Sequence, residues 1–191
     1  MYEYIKGELI EANPTFAVVD CGGIGYKINI SVNTYSEISS QKDVLLYIYQ
    51  VVREDALLLY GFANKEERSM FKLLISVSGI GSNTAIVMLS SLTVDEVSSA
   101  INTDNVGVIK SVKGIGLKTA QKVIIELKDK ISVSSASDLI FESNSIKDEA
   151  LLALVTLGYN KTLAGKVLDK LISNSKISTV EELIKMAFKH L

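Results

Sequence analysis

The chain has 191 residues, 48% of them apolar, and a formal net charge of −2. It is long enough for one domain or several small ones, and it lacks the run of about 18 unbroken apolar residues that a membrane span needs. One cysteine, Cys21, and one histidine, His190, exclude an internal disulfide and a Cys/His zinc site, and argue against a Ser-His-Asp or Cys-His nucleophile.

No G-x-x-x-x-G-K-[ST] phosphate loop occurs, so the sequence offers no equipment of its own for hydrolysing ATP. No cofactor or metal is expected, although carboxylate-only metal sites stay open at this point. Met1-Tyr2-Glu3-Tyr4 lacks the basic-then-apolar order of a signal peptide. With a lone cysteine, a reducing, cytoplasmic location is the simplest expectation.

Residues 1–62 read as β. Tyr2–Ile10, Thr15–Asp20, Ile24–Ser31, Val44–Val52 and Leu57–Phe62 are rich in Val, Ile, Tyr and Leu. Asn13-Pro14, Cys21-Gly22-Gly23 and the polar stretch Asn33–Asp43 separate them as turns. Five short strands in this length fit a small closed barrel of the oligonucleotide-binding (OB) type, and an SH3-like barrel would read almost the same.

At residue 63 the period changes. Lys65–Ser76 has helical spacing, with Met70, Phe71, Leu74 and Ile75 on one face. Helical patterns run to about Ile131, broken at two Gly-Ile-Gly sites and at polar stretches near Ser90–Asp95 and Asn102–Asn105. Residues 132–144 are serine-rich and read as a flexible linker. Helical periodicity resumes over Ile146–Leu157, Lys161–Ile172 and Val180–Leu191, a three-helix bundle within residues 145–191. Ser145 and Thr179 are expected N-caps, and Gly158 a C-terminal stop.

The middle segment carries a repeat. Ser76-Val-Ser-Gly-Ile-Gly-Ser-Asn-Thr-Ala85 aligns with Ser111-Val-Lys-Gly-Ile-Gly-Leu-Lys-Thr-Ala120, with seven of ten positions identical. Two copies favour a paired unit over a solenoid. A helix would end, glycine would turn the chain, and a second helix would begin: a helix-hairpin-helix. Gly79, Gly81, Gly114 and Gly116 lack the Cβ that blocks a close-approaching phosphate. The new helix presents unpaired N–H groups and a positive dipole end, which together make an anion site. Ser82, Asn83 and Thr84 open the first such helix; Lys118 and Thr119 open the second, flanked by Lys113 and Lys122.

Charge supports that reading. Residues 1–62 carry 4 Lys/Arg against 8 Asp/Glu, whereas residues 106–131 carry six lysines against Glu126 and Asp129. Local potential matters more than the whole-chain sum for a phosphate ligand. Such contacts reach phosphates rather than base edges, so binding is expected to be sequence-independent and salt-sensitive. The plainer alternative is that Gly-Ile-Gly merely joins packed helices. The isoleucines read as core plugs. Asn83 stands where the second copy has Lys118, so the first hairpin is expected to attract phosphate less.

Taken in order, Val52-Arg53-Glu54-Asp55-Ala56, Leu59-Tyr60-Gly61-Phe62, the two hairpins and Leu154-Val155-Thr156-Leu157-Gly158-Tyr159 are a specific combination. On these motifs the whole chain resembles the RuvA family, the Holliday-junction-binding subunits of bacterial RuvAB branch-migration complexes. The resemblance implies a multi-domain α+β fold. Residues 1–62 would be an OB-type barrel, 63–131 a tandem helix-hairpin-helix domain, and 132–144 a linker. Residues 145–191 would be a UBA-like three-helix domain facing the RuvB ATPase. It implies a homotetramer, or two tetramers face to face, on a four-way DNA junction, with the RuvC resolvase in a larger complex.

Glu54 and Asp55 match the family's acidic pin, whose carboxylates would repel phosphates at the junction centre. From the residues alone they read first as an ordinary solvated hairpin turn, and more weakly as part of a nuclease metal site. Leu157, Tyr159, Leu183 and Ala187 are assigned to the RuvB-facing surface. One departure is Asn83, where many family members carry a basic residue.

Overall fold

The computed structural model describes residues 2–142, 146–174 and 179–191. They fall into two compact units, Met1–Ile131 and Ser132–Leu191.

Five strands open the first unit: β1 (Tyr4–Asn13), β2 (Phe16–Asp20), β3 (Gly25–Ile30), β4 (Asp43–Val52) and β5 (Leu57–Phe62). They close into a barrel in the order β1-β2-β3-β5-β4. Asn13 bends the β1–β2 turn by accepting the Thr15 and Phe16 N–H groups on its side-chain oxygen at 3.0 and 3.1 Å, the expected use of an asparagine before proline. Alternate positions of the strands point inward, so Ala17, Val19, Ile28, Ile30, Val44, Leu46 and Ile48 fill the barrel. The closing seam is a short parallel pairing of β3 with β5. It is tight: a Cβ at Gly61 would lie 2.5 Å from Ile28 Cγ2.

The segment read as a polar connection contains a helix, α1 (Val32–Ile38). The Ser31 side chain caps it by accepting the Thr34 N–H, and only Thr34 and Ile38 turn inward. Two inward positions in seven leave no apolar stripe for a periodicity argument to find. The closed five-strand order, with α1 inserted before β4, is the OB-type alternative of the two barrels.

Five helices follow: α2 (Lys65–Ile75), α3 (Ser82–Ser91), α4 (Val94–Asn102), α5 (Val106–Ser111) and α6 (Leu117–Glu142). The polar stretches between them are caps. Thr93 and Glu96 form a reciprocal capping box on α4, and Asn105 caps α5. Phe71 of α2 docks on the outside of β4 and β5. Its ring centre lies 5.4, 5.2 and 5.0 Å from those of Tyr49, Tyr60 and Phe62. Each such pair contributes about 0.5–1.5 kcal/mol beyond area burial, so Tyr60 and Phe62 of β5 share one core with the helices, beside the separate core inside the barrel.

Polar groups are buried at the same junction. Ser31 and Thr34 donate their hydroxyls to the two carboxylate oxygens of buried Glu67, at 2.5 and 2.6 Å. Burial pushes the Glu67 carboxyl above its ordinary value, and the two hydroxyl bonds only partly offset it. Beside it, buried Arg68 reaches the Glu3 carboxylate at 2.5 Å and the Glu3 carbonyl at 2.9 Å. That guanidinium holds the exposed Glu3 carboxyl below the usual range.

The helix α6 runs further than its apolar pattern. The stretch read as a flexible linker is helical from 132 to 142, and residues 143–144 lie outside the described residues. It contains neither glycine nor proline, and serine lowers helix propensity only mildly. The boundary between the compact units nevertheless falls at Ile131, where the apolar pattern stops.

In the second unit, α7 (Ile146–Thr156), α8 (Lys161–Asn174) and α9 (Val180–Ala187) pack around Ala150, Leu154, Ala164, Leu168, Leu171, Leu183 and Ala187. Gly158 stops α7 with φ of 97°. Its N–H reaches the Val155 carbonyl while the Tyr159 N–H reaches that of Leu154, each at 3.0 Å. This paired closure satisfies the last carbonyls of the helix. Thr179 caps α9 as expected. The expected cap Ser145 lies outside the described residues.

Candidate nucleic-acid interface

The two repeat copies fold alike. In each, a buried valine, Val77 or Val112, follows the first helix. A glycine then takes positive φ, 97° at Gly79 and 91° at Gly114. The next isoleucine N–H bonds back to the valine carbonyl, at 3.0 Å for Ile80 and 3.1 Å for Ile115. Both isoleucines are buried, so they anchor the hairpins as the sequence suggests. The second glycine starts the new helix: the Gly81 carbonyl accepts the Ala85 N–H at 3.0 Å, and that of Gly116 the Ala120 N–H at 2.9 Å.

Positive φ is strained for residues with a Cβ, which explains glycine at 79 and 114. Gly81 and Gly116 have a different reason. Gly81 sits at φ of −89°, and a Cβ at either glycine would meet nothing within 4 Å. The absent atom leaves room beside the helix start. Gly81 also gives α3 no side-chain cap, so the first-turn amides keep their hydrogens for an external acceptor.

The fold brings the copies together. Ser78 and Gly79 of the first hairpin line one shallow groove with Lys118, Thr119, Gln121, Lys122 and Ile125 of α6. Lys113, Lys118 and Lys122 are exposed and form no ion pair among the described residues. Two other lysines of this basic segment are engaged: Lys128 pairs with Asp104 at 2.5 Å and Lys130 donates to Ser76 Oγ at 3.1 Å. The open positive charge thus concentrates at the start of α6.

The remaining expected residues are placed unevenly. Asn83 is exposed, Thr84 and Thr119 are half-buried, and Ser82 is buried. Ser82 is therefore placed to offer its helix-start amide rather than a presented hydroxyl. Gln121 and Ile125 were not singled out from sequence. The signal was available, because positions 118, 121, 122 and 125 follow the spacing of one helix face.

Glu54 and Asp55 occupy the exposed turn between β4 and β5. The Arg53 N–H closes it on the Ala56 carbonyl at 2.9 Å. Neither carboxylate forms an ion pair among the described residues. Val52 and Leu57, paired with each other across the strands at the base of this turn, are also exposed.

In the second unit the four proposed partner residues divide. Leu157 and Tyr159 are exposed, 62% and 37%, whereas Leu183 and Ala187 are both fully buried. The last two hold the bundle core and cannot be contact residues. Helix α9 has a strong apolar face, and that face points inward. Phe188, whose ring centre lies 5.9 Å from that of Tyr159, is 45% exposed.

Three family models cover most of the chain. Residues 1–61 match the RuvA N-terminal domain, 71–129 the SAM-like helix-hairpin-helix tandem, and 145–191 the RuvA C-terminal domain. The chain belongs to the RuvA family. Among its RuvA relatives is the Holliday junction branch migration complex subunit RuvA of Christiangramia forsetii, 53% identical with all of both chains covered. Proteins of the same description from Bacteroides thetaiotaomicron and Flavobacterium psychrophilum are 48% and 47% identical, again over the full length of both chains. The RuvA models meet on this chain at both ends of the hairpin tandem, in the order its sequence motifs suggest.

Proposed function

We propose that this chain is the non-catalytic, junction-binding subunit of a branch-migration complex. It grips the sugar-phosphate backbone of a four-way DNA junction through its two hairpins, and it recruits and stimulates the RuvB ATPase, which supplies the energy. The groove shared by Gly79 and the Lys118–Lys122 face of α6 carries the reading. One rigid core holds two helix-start anion sites side by side, as contact with phosphates across a single groove requires.

The exposed Glu54–Asp55 turn supplies discrimination rather than affinity. Carboxylates at the crossover disfavour the close approach of phosphates that a closed, stacked junction demands. The pair of hairpins would be multiplied around the crossover by a homotetramer, alone or as two tetramers clasping the DNA. RuvC would join a larger complex on the same cytoplasmic DNA. Leu157, Tyr159 and Phe188 are the contact residues assigned toward RuvB.

Gel shifts of a four-way junction and a linear duplex, at several salt concentrations and with mass measurement of the complex, test this. Tight junction binding with a steep salt dependence is expected. Equal weak binding to both DNAs overturns the junction claim. Cleavage of the junction in Mg²⁺, lost on changing Glu54 and Asp55, would make the protein a nuclease instead.

A further inference from the structure

The first hairpin has no lysine at its helix start, yet its fold compensates. The phenol of Tyr60, on β5 of the barrel, donates a hydrogen bond to Asn83 Oδ1 at 2.9 Å. Tyr60 is 2% exposed, and its ring is wedged 5.2 Å from that of Phe71. The hydroxyl is therefore delivered by a residue fixed in the core. Asn83 is the second residue of α3, two positions after the N-cap Gly81, which gives no side-chain cap, and it is exposed.

A side-chain amide has one acceptor oxygen and an NH₂ with two donors on the opposite branch. Once the oxygen is held by the buried phenol, the NH₂ branch is turned away from the barrel. Asn83 itself belongs to the first turn of α3, whose amides have no side-chain cap. We infer that Tyr60 is a positioning residue for DNA binding, holding Asn83 so that its Nδ2 donates to a backbone phosphate. This rests on the junction-binding reading and refines it. The first hairpin contributes an oriented neutral donor where the second contributes the charge of Lys118.

The chemistry differs from that of a lysine in a measurable way. A fixed amide gains affinity without releasing an extra counterion, whereas each lysine on a phosphate steepens the salt dependence of log K by about 0.9. A neutral hydrogen bond kept by preorganisation is worth roughly a three- to tenfold change in affinity. Tyr60→Phe retains the ring against Phe71 and removes only the hydroxyl. Asn83 is an exposed residue, so its side chain is free to turn its oxygen to water.

The test is a double-mutant cycle on the intact protein with a labelled four-way junction, measured across salt concentrations and alongside thermal melting. Tyr60→Phe and Asn83→Ala should each weaken junction binding about three- to tenfold, with the salt slope and melting temperature near those of the wild type. The double variant should be no weaker than Asn83→Ala alone. Asn83→Lys in the Tyr60→Phe background should restore affinity with a steeper salt slope. Unchanged binding by Tyr60→Phe, or additive losses in the double variant, overturns the inference while leaving junction binding intact. Absence of junction binding by the wild type would instead remove the reading on which it rests.

Discussion

Gly79 and Lys118 line the same groove although they come from different copies of the repeat. The two copies are therefore not independent clamps. The start of the long helix α6 faces the turn of the first hairpin, and one stretch of backbone would meet both.

The helix-start glycines separate binding from folding better than the turn glycines do. Gly116→Val places its side chain in open space and is expected to leave the circular dichroism close to wild type while cutting junction affinity at least tenfold. Gly114→Val forces a branched side chain into φ of 91°, at a cost of about 1–3 kcal/mol. It should lower the melting temperature as well. Wild-type affinity in Gly116→Val would show that the second hairpin is only a helix connection.

Changing Glu54 and Asp55 to Gln and Asn removes two exposed charges that have no partner among the described residues. Stability should change by less than about 0.5 kcal/mol, as for other exposed sites. Linear duplex should bind more tightly relative to the junction. A selectivity ratio equal to that of the wild type would return the turn to an ordinary solvated hairpin.

Tyr159→Ala and Leu183→Ala should behave oppositely. The first trims an exposed side chain, so the tail keeps its fold while RuvB stimulation falls. The second opens a cavity in a small bundle and should destabilise it by about 2–5 kcal/mol. Junction binding should survive both changes. Full RuvB stimulation by Tyr159→Ala combined with Leu157→Ser would move the contact surface elsewhere.

Glu67 sets a pH dependence. Its carboxyl is raised by burial, so the folded state holds the proton more tightly than the unfolded chain. The associated stability is full below the ordinary carboxylate value near 4.5 and is lost as pH rises through the raised value. Urea unfolding of wild type and Glu67→Gln at several pH values checks this. The wild type should lose ground against the variant as pH rises, and a constant difference between them would contradict the assignment.

Much of the architecture was legible from periodicity. Strands alternate, helices repeat at longer spacing, and the Ser76–Ala85 and Ser111–Ala120 copies announce themselves. Helix α1 was not legible because its fold depends on Ser31 capping and on Thr34 reaching Glu67, a contact 33 residues away. The helical run past Ile131 was hidden because its serines carry no apolar pattern. At the site, the glycines and lysines were visible as residue types. The burial of Ser82 was not, because a helix start does not declare which side faces the core, whereas that of Leu183 and Ala187 follows from the apolar stripe of α9. Tyr60 was invisible as a partner of Asn83, since only the packing of the helices against β5 brings Tyr60 beside α3.

The helix-start amides after Gly81 and Gly116 belong to the main chain, and no substitution short of proline deletes them. That makes the grip on DNA tolerant of drift. The two copies share their glycines and differ in their side chains, Lys118 in one and Asn83 in the other. A proposed anion site of this kind keeps its main-chain donors whatever residue follows the glycine, and the side chains set how strongly and with what salt dependence it holds.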